Sequence, residues 1–194
     1  MKRKSSLSQP FLRKIKFQFI PILIFSFLFL WISDLKLNTC FSGADIGWSE
    51  KIKLEWSNYK CEVNKDECFG YAITASGLSW KINKLYNYPP AIVYARMYPQ
   101  ESTASLTTNE KNNDTLLIHE QLHFDITEVF ARKTQVMISE CWGKNETYIE
   151  TLIEKLILEL HSYQDLYDTE TNHGLNIIKQ KEWENKIAKQ LVDN

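Results

Sequence analysis

The chain has 194 residues, of which 44% are hydrophobic and 13% aromatic; this is enough apolar material for one packed domain plus a short extra segment, and too much for a disordered chain. The net charge is −1, yet residues 1–16 hold six positive charges and no acid, so the remainder carries −7. A mildly acidic body excludes a nucleic-acid binder, which needs a basic face to meet phosphates, and no internal repeat of solenoid period is present.

In chain order, the basic stretch (Lys2, Arg3, Lys4, Arg13, Lys14, Lys16) precedes an apolar run from Phe17 to Ile32 that is interrupted only by Gln18 and Ser26. A basic flank before an apolar run is the pattern of a signal peptide or signal anchor. The run is short of the about 20 residues that a span needs. Extension through Leu35 and snorkelling of Lys14 and Lys16 cover the deficit. No clear cleavage site follows. The expectation is an anchor over 17–35 that attaches the chain to a membrane, with 1–16 in the cytoplasm and the body outside, by the positive-inside rule. Removal as a signal peptide, giving a secreted or periplasmic protein, is the alternative. Residues 36–44 read as a linker and 45–194 as the folded domain.

Four cysteines, Cys40, Cys61, Cys68 and Cys141, allow three pairings in an oxidising compartment. Cys61 with Cys68 and Cys40 with Cys141 is the arrangement that staples a short loop and then closes a longer one. No Cys-x-x-Cys pair occurs, which argues against a zinc site built from cysteines.

Partial alternation from Ile46 to Trp56 predicts a strand or strand pair. Cys61 to Cys68 reads as a loop, and Tyr71 to Ala75 as a strand ended by Ser76-Gly77. The β-branched and aromatic run Ala91 to Tyr98 predicts another strand, opened by Pro89-Pro90 and closed by Pro99. Residues 100–114 read as a loop. The period then changes to helical. Asp114 is placed to cap a helix from Thr115 to about Ser139. Ile149, Leu152, Ile153, Leu156, Leu160 and Tyr163 define an apolar stripe on a second helix, about Glu146 to Tyr167. After Gly174 a third helix runs from about Leu175 to Val192, with Ile177, Trp183, Ile187 and Leu191 apolar. Strands first and helices after is an α+β order.

Within the first helix stands His119-Glu120-Gln121-Leu122-His123. Four residues is nearly one turn, so both imidazoles project from one face, about 6 Å apart along the axis, and can share one zinc ion. Glu120 lies beside that face, where it can take a proton from a water and return it to a leaving group. The flanking Leu116, Leu117, Ile118 and Leu122 make this helix segment apolar, and a buried helix does not carry two histidines and a glutamate without partners for them.

A zinc site with a catalytic role needs a third protein ligand and an open position. His173, in the polar turn Tyr167 to Gly174, is the first candidate, Asp168 the second and Glu170 a weaker one. His161 reads as a packing or surface histidine. Tyr167, next to the ligand turn, is a candidate donor to an oxyanion. Asp125 or Glu128 can hold the second nitrogen of a ligand histidine, and Arg132 can pair with Glu128 one turn on.

The stretch Leu116 to Lys133 (LLIHEQLHFDITEVFARK) resembles the signature of a bacterial family known as domain of unknown function 922, whose members are described as secreted zinc-dependent proteases. Trp48 to Tyr59, Ala72 to Leu78 and Tyr167 to Gly174 are similar to that family's pattern as well, in the same order. The resemblance spans about residues 45–190. It implies a zincin-like fold, with a small antiparallel or mixed sheet packed on the active-site helix and two further helices after it, and it implies zinc-dependent hydrolysis. In thermolysin-like enzymes a glutamate ligand stands on a second helix downstream; Glu150, Glu154 and Glu159 are available here, but in no matching pattern.

Three readings follow. The first is a zinc metallopeptidase acting on peptide or protein substrates of the cell envelope, with His119, His123 and His173 (or Asp168) as ligands and Glu120 as base. An extended substrate would pair with the strand at Tyr71 to Ala75. The second is a non-catalytic, metal-binding or scaffold module of the envelope. The third is amide or ester hydrolysis of a non-peptide envelope component.

Overall fold

The computed structural model describes residues 44–61, 71–83, 89–106 and 114–193. The expected basic stretch and anchor lie outside these residues, as do Cys40 and Cys68. Among the described residues no helix is long and apolar enough to cross a membrane.

The architecture is α+β. Strands β1 (Ile46–Gly47), β2 (Tyr71–Ile73), β3 (Ser76–Ile82), β4 (Ala91–Met97) and β5 (Thr103–Ser105) precede helices α1 (Asp114–Ser139), α2 (Glu146–Thr171) and α3 (Ile177–Asp193). β1, β4 and β3 form an antiparallel sheet in that order, and β2 pairs with β5 in a second antiparallel ribbon. The named strands pair only antiparallel; Cys61 adds one isolated parallel bridge to Thr103.

β4 is the strand on which α1 lies. Its sequence alternates, so Ala91, Val93, Ala95 and Met97 point into the core while Ile92, Tyr94 and Arg96 face away. Ala91 and Ala95 are small, and their size lets a helix approach the sheet closely. β3 pairs with β4 along its whole length, from Ser76↔Met97 to Ile82↔Ala91. On the other edge, β1 covers only Met97 and Arg96. The polar groups left over there are satisfied individually. Trp48 N–H donates to Ala95 O at 3.2 Å. The Gln135 amide of α1 accepts from Val93 N–H at 2.9 Å and donates to Ala91 O at 3.1 Å. A helix side chain thus replaces a missing strand.

Gln135 is one of a row of polar residues along α1. Gln121 accepts from Leu54 N–H at 2.7 Å, and Asp125 accepts from both Gln121 and the Trp48 indole. Arg132 pairs with Glu128 at 2.9 Å and lies over the Trp48 ring. The predicted ion pair is present, and this row fastens the 48–54 segment to the helix.

The three helices bury a common core. Phe124, Ile126, Phe130 and Ile138 come from α1, Ile149, Ile153, Leu160 and Tyr167 from α2, and Trp183 and Ile187 from α3. Asn145 caps α2 by accepting from Tyr148 N–H at 2.9 Å.

Several expectations need correction. Only Ile46–Gly47 of the first alternating segment is strand; Trp56–Asn58 forms a single 3-10 turn. Ser76-Gly77 opens β3 rather than closing the strand before it, and β5 lies inside the expected loop 100–114. Asp114 is the first helical residue, α2 continues to Thr171, and Ile177 is exposed. Cys141 is a buried thiol whose Sγ donates to Met137 O at 3.2 Å.

Replacing Gln135 with leucine leaves the Val93 N–H and Ala91 C=O without their partner. A loss of about 1–3 kcal/mol in unfolding free energy is expected, the cost of buried unsatisfied groups. Urea denaturation measures it, with the exposed Val136→Ala as a control expected to stay within about 0.5 kcal/mol of wild type.

Candidate metal centre

His119, Glu120 and His123 sit in the second and third turns of α1, where the helix passes between the ribbon and α2. All three are buried, at 2%, 3% and 9% exposure. The rings of His119 and His123 meet edge to face with centroids 5.0 Å apart, as the one-turn spacing requires. From the last turn of α2, Asp168 reaches the same point. Its Oδ1 lies 3.1 Å from His119 Nε2 and 2.9 Å from His123 Nε2. One ligand atom from each residue lies within 4.8 Å of the others, so His119, His123 and Asp168 can hold a metal ion.

A second layer fixes His119. Its Nδ1 faces Gln180 Oε1 of α3 at 3.1 Å. The same oxygen accepts from the Tyr167 hydroxyl at 2.8 Å, and that hydroxyl lies 3.2 Å from the His119 carbonyl. The Tyr167 ring stacks on His119 with centroids 4.6 Å apart. On the other side Gly174, at φ +80°, approaches so closely that an added Cβ would stand 3.1 Å from His119 Cβ and Cγ. Only glycine meets both demands. It ends a turn in which Asn172 and His173 are also left-handed, at φ 49° and 51°. The backbone strain is thus concentrated beside the cluster.

The donor set fits a cation. An amide oxygen can only accept, so His119 Nδ1 carries a proton toward Gln180, and Nε2 is the ring atom turned to the Asp168 carboxylate. Two Nε2 atoms and a carboxylate oxygen converge at one point, which favours a positive charge there, carried by the rings or by a bound ion. Two imidazoles and a carboxylate are also a zinc donor set. Burial alone would raise the Asp168 carboxyl. The hydrogen bonds from His119 and His123, and the attraction of both rings, outweigh it and hold the group below the usual carboxylate range. Asp168 is therefore an anion at neutral pH, as a ligand must be.

Glu120 turns the other way on the helix, toward the ribbon. Its Oε2 accepts from Thr74 Oγ1 at 2.6 Å, and Thr74 Oγ1 lies 2.7 Å from the Tyr59 hydroxyl. Glu120 and the three clustered residues line one cleft of about 680 Å³, walled by Ala72, Ile73 and Thr74 on one side and by Leu116, Gln164 and Leu175 on the other. Gln164 is anchored to His123 O and Thr127 Oγ1.

The structure brings together His119, His123, Glu120 and Asp168. His173 lines the cleft but stands at its rim, its side chain 75% exposed and its Nδ1 3.7 Å from Asp168 Oδ1. Asp168, not His173, completes the cluster, because it ends α2 on the face turned to α1. Tyr167 does not serve an oxyanion: it is fully buried, its hydroxyl is engaged by Gln180, and burial, with smaller contributions from nearby acids, raises its pKa. Neither Asp125 nor Glu128 supports a ligand histidine, since one is held by Trp48 and Gln121 and the other by Arg132. Glu170 accepts from the Trp183 indole, Glu159 pairs with Lys133, and His161 is exposed. The residues that sequence reasoning did not find are Gln180, Thr74, Tyr59 and Gln164, which carry no local motif. Gly174 separates two predicted helices, and nothing in the sequence marks its contact with His119.

Compared with protein-family models, with curated proteins and with solved structures, the chain matches none.

Gln180→Leu removes the acceptor that orients His119 and leaves the Tyr167 hydroxyl with only the His119 carbonyl. Zinc affinity, measured by competition with a chromophoric chelator, is expected to fall about 10–100-fold. Gly174→Ala is expected to lower stability by about 1–2 kcal/mol through backbone strain alone, with a further loss in zinc affinity as the His119 ring is displaced; thermal unfolding with and without zinc separates the two effects.

Proposed function

We propose that this chain is a zinc-dependent hydrolase of zincin-like fold that cleaves peptide bonds. The observation that carries the reading is the buried Glu120 carboxylate, which lines the same cleft as a His119, His123 and Asp168 cluster fit for a cation. A site that bound metal for structure alone would have no use for a buried carboxylate outside the ligand set. Zinc is favoured over other divalent ions by its preference for imidazole nitrogen combined with a single carboxylate.

When bound, the ion supplies Lewis acidity, acidifying a water and polarising a carbonyl. Glu120 accepts the proton of the attacking water and delivers it to the leaving nitrogen. Gln180 and Tyr167 hold His119 in one tautomer and orientation, so that a ligand nitrogen faces the cleft. Among the described residues β2 pairs with β5 alone, and its residues Ala72 and Ile73 form the cleft wall. An extended peptide can add to its open edge by main-chain hydrogen bonds, beside the reacting groups. The resemblance of the HExxH stretch and its three companion blocks to domain of unknown function 922 supports the same chemistry. The basic and apolar N-terminal segments support a substrate in the cell envelope, reached from a membrane anchor.

Metal analysis by mass spectrometry on the full chain tests this. About one zinc per wild-type chain is expected, and none in His123→Ala. Cleavage of fluorescein-labelled casein is expected to fall by at least about 10²-fold in Glu120→Gln, which keeps the shape of the side chain but cannot act as a base, while its zinc content stays at the wild-type level. A folded wild-type chain that takes up no zinc on reconstitution, or a Glu120→Gln variant as active as wild type, would sink the reading.

A further inference from the structure

We propose that Thr74, backed by Tyr59, is a positioning residue for Glu120: a two-link hydrogen-bonded chain ties one carboxylate oxygen and leaves the other for the attacking water. The proposal rests on the reading of Glu120 as the base. The links are short, 2.6 Å from Thr74 Oγ1 to Glu120 Oε2 and 2.7 Å between Thr74 Oγ1 and the Tyr59 hydroxyl. Their direction follows from proton count. A threonine hydroxyl has one hydrogen, and an ionised carboxylate can only accept, so Thr74 donates to Glu120 and Tyr59 donates to Thr74. Burial, and then the charge of Glu120, raises the Tyr59 pKa, so the phenol keeps the proton that it donates.

The chain matters because the last torsion of a glutamate is soft. A carboxylate on sp³ carbon turns through a broad, two-fold well, and packing alone sets its plane poorly. A donor fixed on one oxygen defines that plane. The donor here is itself fixed. Thr74 sits in the two-residue junction between β2 and β3, and Ala75 beside it is tied on both sides: its N–H donates to Ser102 Oγ at 2.9 Å and its carbonyl accepts from Tyr98 N–H at 2.8 Å. Tyr59 follows the 3-10 turn, and the next residue, Lys60, donates its N–H to Pro99 O at 2.9 Å. Two anchored segments thus support the one hydroxyl that reaches the carboxylate. A reacting group that must meet a water within a few tenths of an ångström needs such support.

The test uses the full-length chain with Thr74→Val, Thr74→Ser, Tyr59→Phe and Glu120→Ala, and two readouts. In casein turnover, Thr74→Val is expected to lower kcat at least about tenfold while KM moves less than about twofold and zinc content is unchanged. Thr74→Ser, which restores the hydroxyl, is expected to recover to within about threefold of wild type, and Tyr59→Phe to lose less than Thr74→Val. In thermal unfolding, Thr74→Val is expected to lower Tm by about 3 °C or more with Glu120 in place, and by half of that or less in the Glu120→Ala background. An equal Tm loss in both backgrounds would show that the two side chains are not coupled and would overturn the proposal. Coupled Tm values with a wild-type kcat in Thr74→Val would overturn the positioning role and leave the hydrolase reading standing. A wild-type chain that binds zinc but turns over neither casein nor a mixed peptide library would overturn the reading of Glu120, and this proposal with it.

Discussion

Helix α1 carries two imidazoles and a carboxylate into the interior of a small domain, and each of these groups must find a partner there. Water reaches them only from the cleft, because His119, Glu120 and His123 are nearly inaccessible. An unpaired polar group in such a place costs several kilocalories per mole, and an unpaired charge more. The elements around α1 can be understood as the means of meeting that demand. α2 ends so that Asp168 faces both histidine Nε2 atoms, α3 begins so that Gln180 meets His119 Nδ1, and the β2–β3 junction brings Thr74 to Glu120.

The same demand explains the strained turn between α2 and α3. Bringing Gln180 onto His119 from a helix antiparallel to α2 requires a tight reversal at 172–174. Three successive left-handed residues make it, two of them not glycine. The turn also presses Gly174 onto the His119 ring. Tyr167 stacks on His119 and meets Trp183 edge to face, with ring centroids 4.6 Å and 5.3 Å apart, and this extends the support into the core. The polar centre is therefore rigid on its helical side. Its open side is the cleft, where Ile73 and Leu175 are exposed, at 54% and 77%, and available to a ligand.

Much of the helical half was legible because its signals are local. The stripe Ile149, Ile153, Leu156, Leu160 repeats at helical spacing, and those residues are buried. The strand Ala91–Met97 was legible from its β-branched residues and flanking prolines. Of the ribbon only β2 was legible, inside the run Tyr71 to Ala75. β5 and the start of β3 are short, and their pairing partners lie about 20 to 30 residues away, so nothing within a window of ten residues marks them. Ser76-Gly77 reads as a turn by composition, yet it is held in β3 by pairing with Met97 and Arg96. Tertiary pairing overrode local preference there.

For the site, the division follows the same line. Sequence alone determined that His119 and His123 share a helix face with Glu120 between them, because a helix converts a spacing of four into proximity without help from the rest of the chain. It also confined the third candidate ligand to the stretch Tyr167 to Gly174, where His173 and Asp168 both stand. Only the tertiary structure decided between them. Which residue reaches a point 45 to 49 positions away in sequence depends on where α2 stops and which face it turns to α1. Gln180, Thr74 and Tyr59 were hidden for the same reason: a glutamine, a threonine and a tyrosine acquire a role only when packing sets them against a buried charge.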